Sequence, residues 1–249
     1  MTGSEAAFDD LAEDYDRYRI GYAPEVYDAL ADHGIVPGRR VLDVACGTGL
    51  VAEGLAARGC IVTGIDASQP MLRKARQRVP AATFVLGSAE RMPFADGAFD
   101  GVTCAQAFHW FEAHRALTEI IRVVRPGGAV AVWWKGYMRG DVMRLVCEEV
   151  TRDLGLVQPP DVLTQGFDAF EQSPLVDKTL RVVPWIVERT VADTIGYERA
   201  RARARSAYGD HLDAYVAALA QRLGAPESRM SLALVQMVYL GRVPPQGDG

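Results

Sequence analysis

Short apolar runs that break into glycine-rich or acidic turns recur along the first half of the chain. Val41 to Val44 is such a run; it contains the acid Asp43 and leads into a turn at Gly47 to Gly49. A helical pattern begins at Leu50. The run predicts a buried strand, and the glycines indicate a loop whose backbone lies close to a ligand. Because unpaired N–H groups collect where a helix begins, we expect that ligand to be polar.

Two classes of ligand fit this turn. Gly47, Gly49 and Ala52 match the dinucleotide fingerprint G-x-G-x-x-G/A, which is typical of nicotinamide enzymes. Asp43, four residues before the first glycine, favours a different ligand, because a carboxylate that faces a pyrophosphate gains nothing. A cationic ligand would be stabilised by the same carboxylate.

The apolar runs that follow predict a doubly wound α/β fold. Ile61 to Ile65 leads into Asp66, at the position from which nucleotide-binding folds hold ribose hydroxyls. Phe99 to Cys104 and Ala129 to Trp134 are two further strand patterns, and residues 112–124 between them carry a helical apolar stripe. Strands that alternate with helices in this way form parallel sheets.

Taken in order, these segments resemble the class I S-adenosylmethionine-dependent methyltransferases, in the group called methyltransferase type 11. Asp43 to Gly49 is similar to the family's opening motif E/D-x-x-x-G-x-G, whose loop passes under the methionine part of the cofactor. Asp66 to Leu72 resembles D-x-S-x-x-M-L, in which the methionine, here Met71, packs on the adenine ring. Gly87 to Phe94 resembles G-D-A-x-x-L-P-F beside the adenine amine, with Ser88 where many members have Asp.

Two more segments extend the resemblance. Gln106 to Phe111 resembles the Q-A-x-H-W-F of a narrower group that includes the trans-aconitate methyltransferase-like enzymes. Arg125 to Gly128 is similar to the R/K-P-G-G that precedes the family's fifth strand. The resemblance implies a Rossmann-like fold, in which a seven-stranded, mostly parallel sheet has helices on both faces and a helical lid.

The same resemblance implies a single methyltransferase domain over residues 1–249. Its N-terminal cap helices would occupy residues 1–35 and its cofactor-binding core residues 36–135. The C-terminal part, residues 136–249, would contain the lid at about 191–223.

S-adenosyl-L-methionine is the cofactor that the resemblance implies. Tyr15 and Arg19 match positions at which the family places an aromatic residue over the cofactor and a polar or basic residue near its carboxylate. An ordinary amphipathic helix with a solvated arginine explains the same pattern. The residues carried over as cofactor-binding are Tyr15, Arg19, Asp43, Ala45, Gly47, Gly49, Asp66, Ala67, Met71, Ser88, Ala89, Glu90 and Gln106.

The acceptor site is expected after the fourth strand, at the edge of the sheet where open α/β folds bind ligands. Its residues on this resemblance are His109, Trp110, Arg205 and Tyr208, with His109 as the candidate catalytic residue. Three interpretations of His109 stay open. It is a general base for a hydroxyl or ammonium acceptor, a hydrogen-bonding group that positions a carboxylate, or a structural tie to the next helix.

Arginine recurs at every second position from Arg199 to Arg205. In a continuous helix, residues two apart point in nearly opposite directions. Arg199 and Arg203 would then share one face, and Arg201 and Arg205 the other, so that one pair at most faces the acceptor. The alternative to capture of a substrate carboxylate is a solvated helix whose arginines pair with nearby acids.

These observations predict methyl transfer from S-adenosylmethionine to an oxygen, or to a nitrogen, of a small molecule. The Q-A-x-H-W-F resemblance favours a carboxylic acid or a hydroxylated metabolite as the acceptor. The alternative is a protein that binds the cofactor without methylating, either as a regulator or in another reaction that the cofactor steers. A nicotinamide oxidoreductase is disfavoured by Asp43 and Met71.

Composition limits the partners and the compartment. A net charge of −5 argues against a nucleic-acid binder, whose affinity comes from neutralising phosphates. No apolar run approaches the roughly 18 residues of a membrane span, and the first residues lack the apolar core of a signal peptide, so a cytoplasmic protein is expected. The four cysteines lack C-x-x-C spacing, and His109 and His114 are five apart, so no metal site is expected.

Overall fold

The described residues of the computed structural model, 16–159 and 167–245, form one seven-stranded sheet. Its strands are β1 (Arg40–Val44), β2 (Ile61–Asp66), β3 (Thr83–Leu86), β4 (Phe99–Ala105), β5 (Val124–Tyr137), β6 (Val176–Thr190) and β7 (Arg229–Arg242). In space they follow the order β3-β2-β1-β4-β5-β7-β6. Strands β1 to β5 are parallel, and β7 is antiparallel to both β5 and β6. The predicted Rossmann-like sheet is therefore confirmed.

Helices connect the strands and cover both faces of the sheet. They are α1 (Pro24–Asp32), α2 (Leu50–Ala57), α3 (Gln69–Arg78), α4 (Ala113–Val123), α5 (Val142–Asp153), α6 (Phe167–Gln172), α7 (Val191–Ala200), α8 (Ala202–Tyr208) and α9 (Leu212–Leu223), with short 3-10 helices at Phe108–Trp110 and Gly209–His211. Helix α1 begins with Pro24 because proline suits the first helical position, where an N–H has no intrahelical partner. None of the helices in the described ranges is long and apolar enough to cross a bilayer.

The central strands contribute side chains to two separate cores, one on each face of the sheet. Successive side chains of a strand point to opposite faces, so neighbouring residues of β5 enter different cores. Trp133 packs with residues of α1 and α2, whereas Trp134 packs with residues of α4. Full burial of a large apolar side chain contributes about 1.5–3 kcal/mol, so these cores hold the helices on both faces.

A third core lies under the predicted lid. Helices α7 to α9 fall between β6 and β7 in the chain and pack with α5. The prediction of a continuous helix through the arginine repeat is wrong, because α7 ends at Ala200 and Arg201 has extended backbone (φ −71, ψ 118) before α8 begins. The Arg201 guanidinium donates to both carboxylate oxygens of the buried Glu198 at 3.0 Å. This ion pair holds Arg201 inside the lid. The predicted division of the four arginines between two opposite helix faces therefore does not apply.

Candidate active site

A cavity of about 170 Å³ opens at the carboxyl ends of β1, β2 and β4. Open α/β sheets bind ligands at this edge. The structure brings nine of the predicted cofactor residues into its wall: Ala45, Gly47, Asp66, Ala67, Met71, Ser88, Ala89, Glu90 and Gln106. Tyr15 lies outside the described residues. The other three, Arg19, Asp43 and Gly49, do not line this cavity.

The two glycines of the turn have different roles. Gly47 has a φ of +53°, and a Cβ added there would meet nothing within 4 Å in the part of the chain that the structure describes. Its backbone therefore borders open space in the cavity wall. Gly49 has a φ of +85°, and an added Cβ would lie 3.2 Å from the Cα of Ala75 in α3. Gly49 thus permits close packing of the turn on α3.

Asp66 ties the turn to the end of β2. Its Oδ2 accepts the N–H of Gly47 at 2.8 Å, and its Oδ1 accepts the N–H of Ser68 at 2.9 Å. A carboxylate oxygen has two lone pairs and can accept more than one hydrogen bond. The side chain is held in one orientation beside the cavity.

The rest of the wall contains the apolar side chain of Met71 and the polar pair formed by Ser88 and Glu90. Met71 is buried in the first turn of α3, which Ser68 caps by accepting the Met71 N–H at 3.3 Å. Ser88 donates its hydroxyl to Glu90, and Glu90 also accepts the N–H of Glu112 at 3.2 Å. Hydroxyl and carboxylate therefore form a hydrogen-bonded pair in the cavity wall.

Asp43 borders a smaller cavity on the other side of the turn, together with Tyr22 and Gly47. The side chain is buried, and its Oδ1 accepts the Thr103 hydroxyl at 3.0 Å. Its Oδ2 has no hydrogen-bond partner among the described residues. Burial raises the pKa of Asp43 to about 7, and the charge of Asp66 acts in the same direction. A buried carboxylate oxygen without a partner suits a cationic ligand group.

The segment before α1 contributes Tyr22 to the wall of this smaller cavity. The buried Lys135 ammonium donates to the backbone carbonyls of Ile20 and Gly21, the latter at 2.7 Å, and lies 4.8 Å from the centre of the Tyr22 ring. Tyr22 packs edge-on against Trp133, with ring centres 5.4 Å apart. Lys135 was not among the predicted site residues; a lysine at the end of an otherwise apolar strand was its only signal in the sequence.

Arg19 lies at the junction of this segment and the lid. Its guanidinium carbon is 5.9 Å from the centre of the Tyr197 ring in α7. Burial is the main cause that lowers the pKa of Lys135 and the pKa of His109, and the charge of Arg19 lowers both further. Arg19 is therefore placed among the cations at the inner end of the lid.

A second cavity, of about 340 Å³, adjoins the first. Trp110 lines both cavities, and the second also contains His109 and Arg203. A third cavity, of about 240 Å³, shares Arg203 with the second and contains Tyr208. Of the predicted acceptor residues, His109, Trp110 and Tyr208 thus line cavities that share wall residues with one another. Arg205 is not among the residues that line them. Arg203, a member of the alternative arginine pair that was not chosen as a site residue, takes that place.

His109 is fixed by a tryptophan. The indole N–H of Trp134 donates to Nδ1 of His109 at 3.1 Å. The Nε2 atom is covered from solvent and has no hydrogen-bond partner within the described ranges. Burial lowers the pKa of His109 to about 3, and the charges of Arg203 and Arg19 add to this effect. The imidazole is therefore neutral at neutral pH.

Gln106 turns the end of β4 towards the cavity. Its φ is +59°, a conformation that residues other than glycine adopt at an energetic cost and that concentrates at functional sites. The Gln106 N–H donates to the carbonyl of Trp133 at 2.9 Å, and its side-chain amide donates to the carbonyl of Lys135 at 3.1 Å. These bonds link the cavity wall to the part of β5 that carries Lys135.

Comparisons with known proteins agree with this geometry. Residues 42–132 match the family described as "Methyltransferase domain". An uncharacterized methyltransferase of Mycobacterium tuberculosis is 40% identical over 120 residues, which are 48% of this chain and 48% of that protein. A demethylmenaquinone methyltransferase of Renibacterium salmoninarum is 40% identical over 136 residues, 51% of this chain and 56% of that protein. The matches thus span about half the length of these curated relatives.

The similarity extends further in structure. A solved structure of a candidate type II methyltransferase from Anaeromyxobacter dehalogenans aligns with a TM-score of 0.68 at 25% identity. The alignment covers 92% of this chain and the whole of that chain. The structural similarity therefore extends well beyond residues 42–132, which the family match covers.

Proposed function

We propose that this chain, which carries a class I methyltransferase domain, transfers the methyl group of S-adenosyl-L-methionine to an oxygen or a nitrogen of a small molecule. The observation that carries the proposal is the buried Oδ2 of Asp43, which lacks a partner among the described residues beside the same turn that Gly47 opens towards the cavity. A carboxylate here fits a ligand that combines a nucleoside with a cationic amino-acid end.

The wall residues divide naturally between the parts of this cofactor. Asp66 is placed to hold the ribose hydroxyls, and Met71 offers an apolar surface to the adenine ring. Ser88 and Glu90 are placed to accept the adenine amine. Asp43 faces the ammonium end, and Arg19 is the candidate partner of the carboxylate, consistent with its place at the end of the lid.

The bound cofactor supplies a methyl group that is activated by a positively charged sulfur. The chain's own contribution is to hold the acceptor close to that methyl group and in line with it, which accounts for much of the catalysis of such a displacement. Trp110 is placed for this task, because it lines both the 170 Å³ cavity and the 340 Å³ cavity. The acceptor is accordingly assigned to the larger cavity.

Relatives named demethylmenaquinone methyltransferase suggest methylation of a ring carbon as a second candidate. Their similarity covers about half of this chain. The family match within it, residues 42–132, contains the predicted cofactor residues from Asp43 to Gln106 and ends before the lid. Arg203 and Tyr208, which line the cavities that would receive the acceptor, come from that lid. The family match therefore supports the cofactor assignment and leaves the identity of the acceptor open.

Calorimetry with S-adenosylhomocysteine tests the cofactor assignment directly. We expect binding in the micromolar range, with NAD as the control that does not bind. Methyl transfer from the labelled cofactor to a panel of acids, phenols, amines and a reduced quinone then separates the acceptor classes. Binding of NAD without binding of S-adenosylhomocysteine would refute the proposal. Cofactor binding without transfer to any compound would favour the non-methylating alternative.

A further inference from the structure

We infer that Arg78 is a positioning residue for the cofactor, because its guanidinium binds the segment before α1 to the turn after β1. This segment comprises residues 16–23 and is called the strap below. The inference rests on the proposed function and adds a residue that sets how fast the cofactor leaves its site. It starts from three hydrogen bonds that one guanidinium makes to three separate segments.

The strap lies between the turn and the lid. Tyr22 lines the smaller cavity together with Asp43, and Ile20 packs in the core under the lid. Tyr18 lies against α7, where a Cβ added at Gly196 would meet its ring at 2.5 Å. The strap therefore contacts both the cavity assigned to the amino-acid end of the cofactor and the helices of the lid.

Side chains hold the strap in place. Within the described ranges, no backbone–backbone hydrogen bond joins residues 19–22 to another element. The charged anchors are the ammonium of Lys135, which binds two backbone carbonyls of the strap, and the ion pair between Asp16 and Arg78. A segment held by few contacts opens locally at a small cost in free energy.

The two anchors differ in strength. Lys135 is buried, whereas the side chains of Arg78 and Asp16 are 22% and 29% exposed. Partly exposed ion pairs change an equilibrium by no more than about fivefold. The end of the strap that carries Asp16 is therefore the end that opens first.

Arg78 joins this end of the strap to the turn. It is the last residue of α3, and its Nη2 donates to the carboxylate of Asp16. Its Nε donates to the backbone carbonyl of Thr48 at 3.0 Å, and its Nη1 donates to Glu53 of α2 at 3.2 Å. Thr48 is the middle residue of the turn and lines the smaller cavity. One planar guanidinium thus fixes the closed strap and the orientation of the turn together.

Release of the strap breaks one of these three bonds. When Asp16 moves away, Arg78 keeps its acceptors in the turn and in α2, because neither belongs to the strap. The turn therefore keeps its shape while the strap is open, and it is ready to receive the cofactor. Closure then restores the third bond and slows the departure of the ligand.

The rate at which S-adenosylhomocysteine dissociates from the full chain tests the inference, with surface plasmon resonance as the measurement. We expect Asp16→Asn to accelerate dissociation about two- to fivefold, which is the range of a partly exposed ion pair. Arg78→Met should accelerate it further, because it also removes the donor to Thr48. Arg76→Met is the matched control, since Arg76 lies in the same last turn of α3 but donates to the carbonyl of Phe84.

Two readouts distinguish control of the strap from a contribution to folding alone. Salt screens a partly exposed ion pair, so dissociation should become faster with rising salt, and less so in Asp16→Asn than in the wild type. Asp16→Asn should have no further effect in Arg78→Met, whose guanidinium is already gone. A lower melting temperature of Asp16→Asn with an unchanged dissociation rate would overturn the inference. Equal acceleration by Glu53→Gln would also overturn it, because Glu53 lies outside the strap.

Gly196→Ala tests the strap from the side of the lid and does not depend on the folding of Arg78→Met. The new Cβ would displace the ring of Tyr18, so we expect faster dissociation and faster hydrogen exchange in residues 16–23. Gly21→Ala is the control within the strap, because a Cβ there would meet nothing within 4 Å among the described residues. Unchanged dissociation in both Asp16→Asn and Gly196→Ala would refute the role of the strap.

Calorimetry with S-adenosylhomocysteine on the wild type separates the two levels of the proposal. Absence of binding would refute the proposed function. Binding whose dissociation rate is the same in the wild type, Asp16→Asn and Arg78→Met would refute the role of Arg78 alone.

Discussion

Asp66 and Gly47 are joined by a hydrogen bond of 2.8 Å from the Gly47 N–H to Oδ2 of Asp66. The bond fixes the turn after β1 to the end of β2, two strands that lie side by side in the sheet. One carboxylate therefore both shapes the turn and lines the 170 Å³ cavity. Loss of Asp66 should therefore both loosen the turn after β1 and remove a carboxylate from the cavity wall.

We expect Asp66→Ala to weaken S-adenosylhomocysteine binding by about 1.5–3 kcal/mol, the usual range for a lost charge-assisted hydrogen bond. Asp96→Ala is the control, because Asp96 pairs with Arg122 on the surface at 2.7 Å. Calorimetry measures both variants. Equal affinity of Asp66→Ala and the wild type would remove Asp66 from the ligand site.

Gly47→Val should abolish cofactor binding while the fold is retained, because the new side chain enters the space that Gly47 leaves open. A φ of +53° adds a strain of roughly 1–2 kcal/mol for any residue with a Cβ. Gly38→Val controls for that strain, since Gly38 has a φ of +80° and an equally open surrounding but lies before β1. Circular dichroism and a binding titration on each sample distinguish lost binding from lost folding. Unfolding of Gly47→Val alone would assign Gly47 a purely structural role.

Asp43 makes both stability and binding depend on pH. Its folded-state pKa of about 7 lies above its ordinary value of 3.8. Between these values the folded state holds the extra proton, so the free energy of unfolding of the free protein should fall as the pH rises towards 7. Asp43→Asn should remove this slope in denaturant titrations.

The same ionisation should strengthen cofactor binding. As Asp43 loses its proton near pH 7, its carboxylate becomes able to pair with the ligand ammonium, and S-adenosylhomocysteine affinity should rise. Calorimetry at a series of pH values measures this. An affinity whose pH dependence is the same in Asp43→Asn would place the ammonium elsewhere.

Lys135→Met should loosen the segment that covers the smaller cavity, because it leaves the carbonyls of Ile20 and Gly21 without their charged donor. We expect faster hydrogen exchange in the segment before α1 and weaker S-adenosylhomocysteine binding. Lys178→Met is a matched control, since Lys178 also donates to two carbonyls, those of Glu171 and Ser173, away from the cavities. Similar effects of the two variants on binding would show that Lys135 only stabilises the fold.

The sheet and most of the wall of the 170 Å³ cavity could be predicted because their signals are local. A strand, its turn and the acid at its tip are neighbours in the chain, so Asp66 and Met71 were placed correctly at the cavity from their motifs. Lys135 was missed because its partners, Ile20 and Gly21, lie more than 100 residues away in the chain. The periodicity of apolar residues along the chain carries no information about such a long-range contact.

The lid shows the same limit. An alternating arginine pattern predicts faces only if the helix is continuous, and the ion pair between Arg201 and Glu198 accompanies a break in it. With the chain extended at Arg201, Arg203 lines the 240 Å³ and 340 Å³ cavities and Arg205 does not. Local geometry that depends on one buried ion pair cannot be predicted from residue spacing.

The two tryptophans of β5 lie on opposite faces of the sheet and support different groups. Trp133 supports Tyr22, beside Asp43, and Trp134 orients His109. Because they are adjacent in one strand, a shift of β5 by one residue against β7 would exchange their environments. The core around Trp134 also contains Ile65 and Ala89, which line the 170 Å³ cavity. Sequence changes around Trp134 should therefore be followed for their effect on cofactor affinity as well as on acceptor preference.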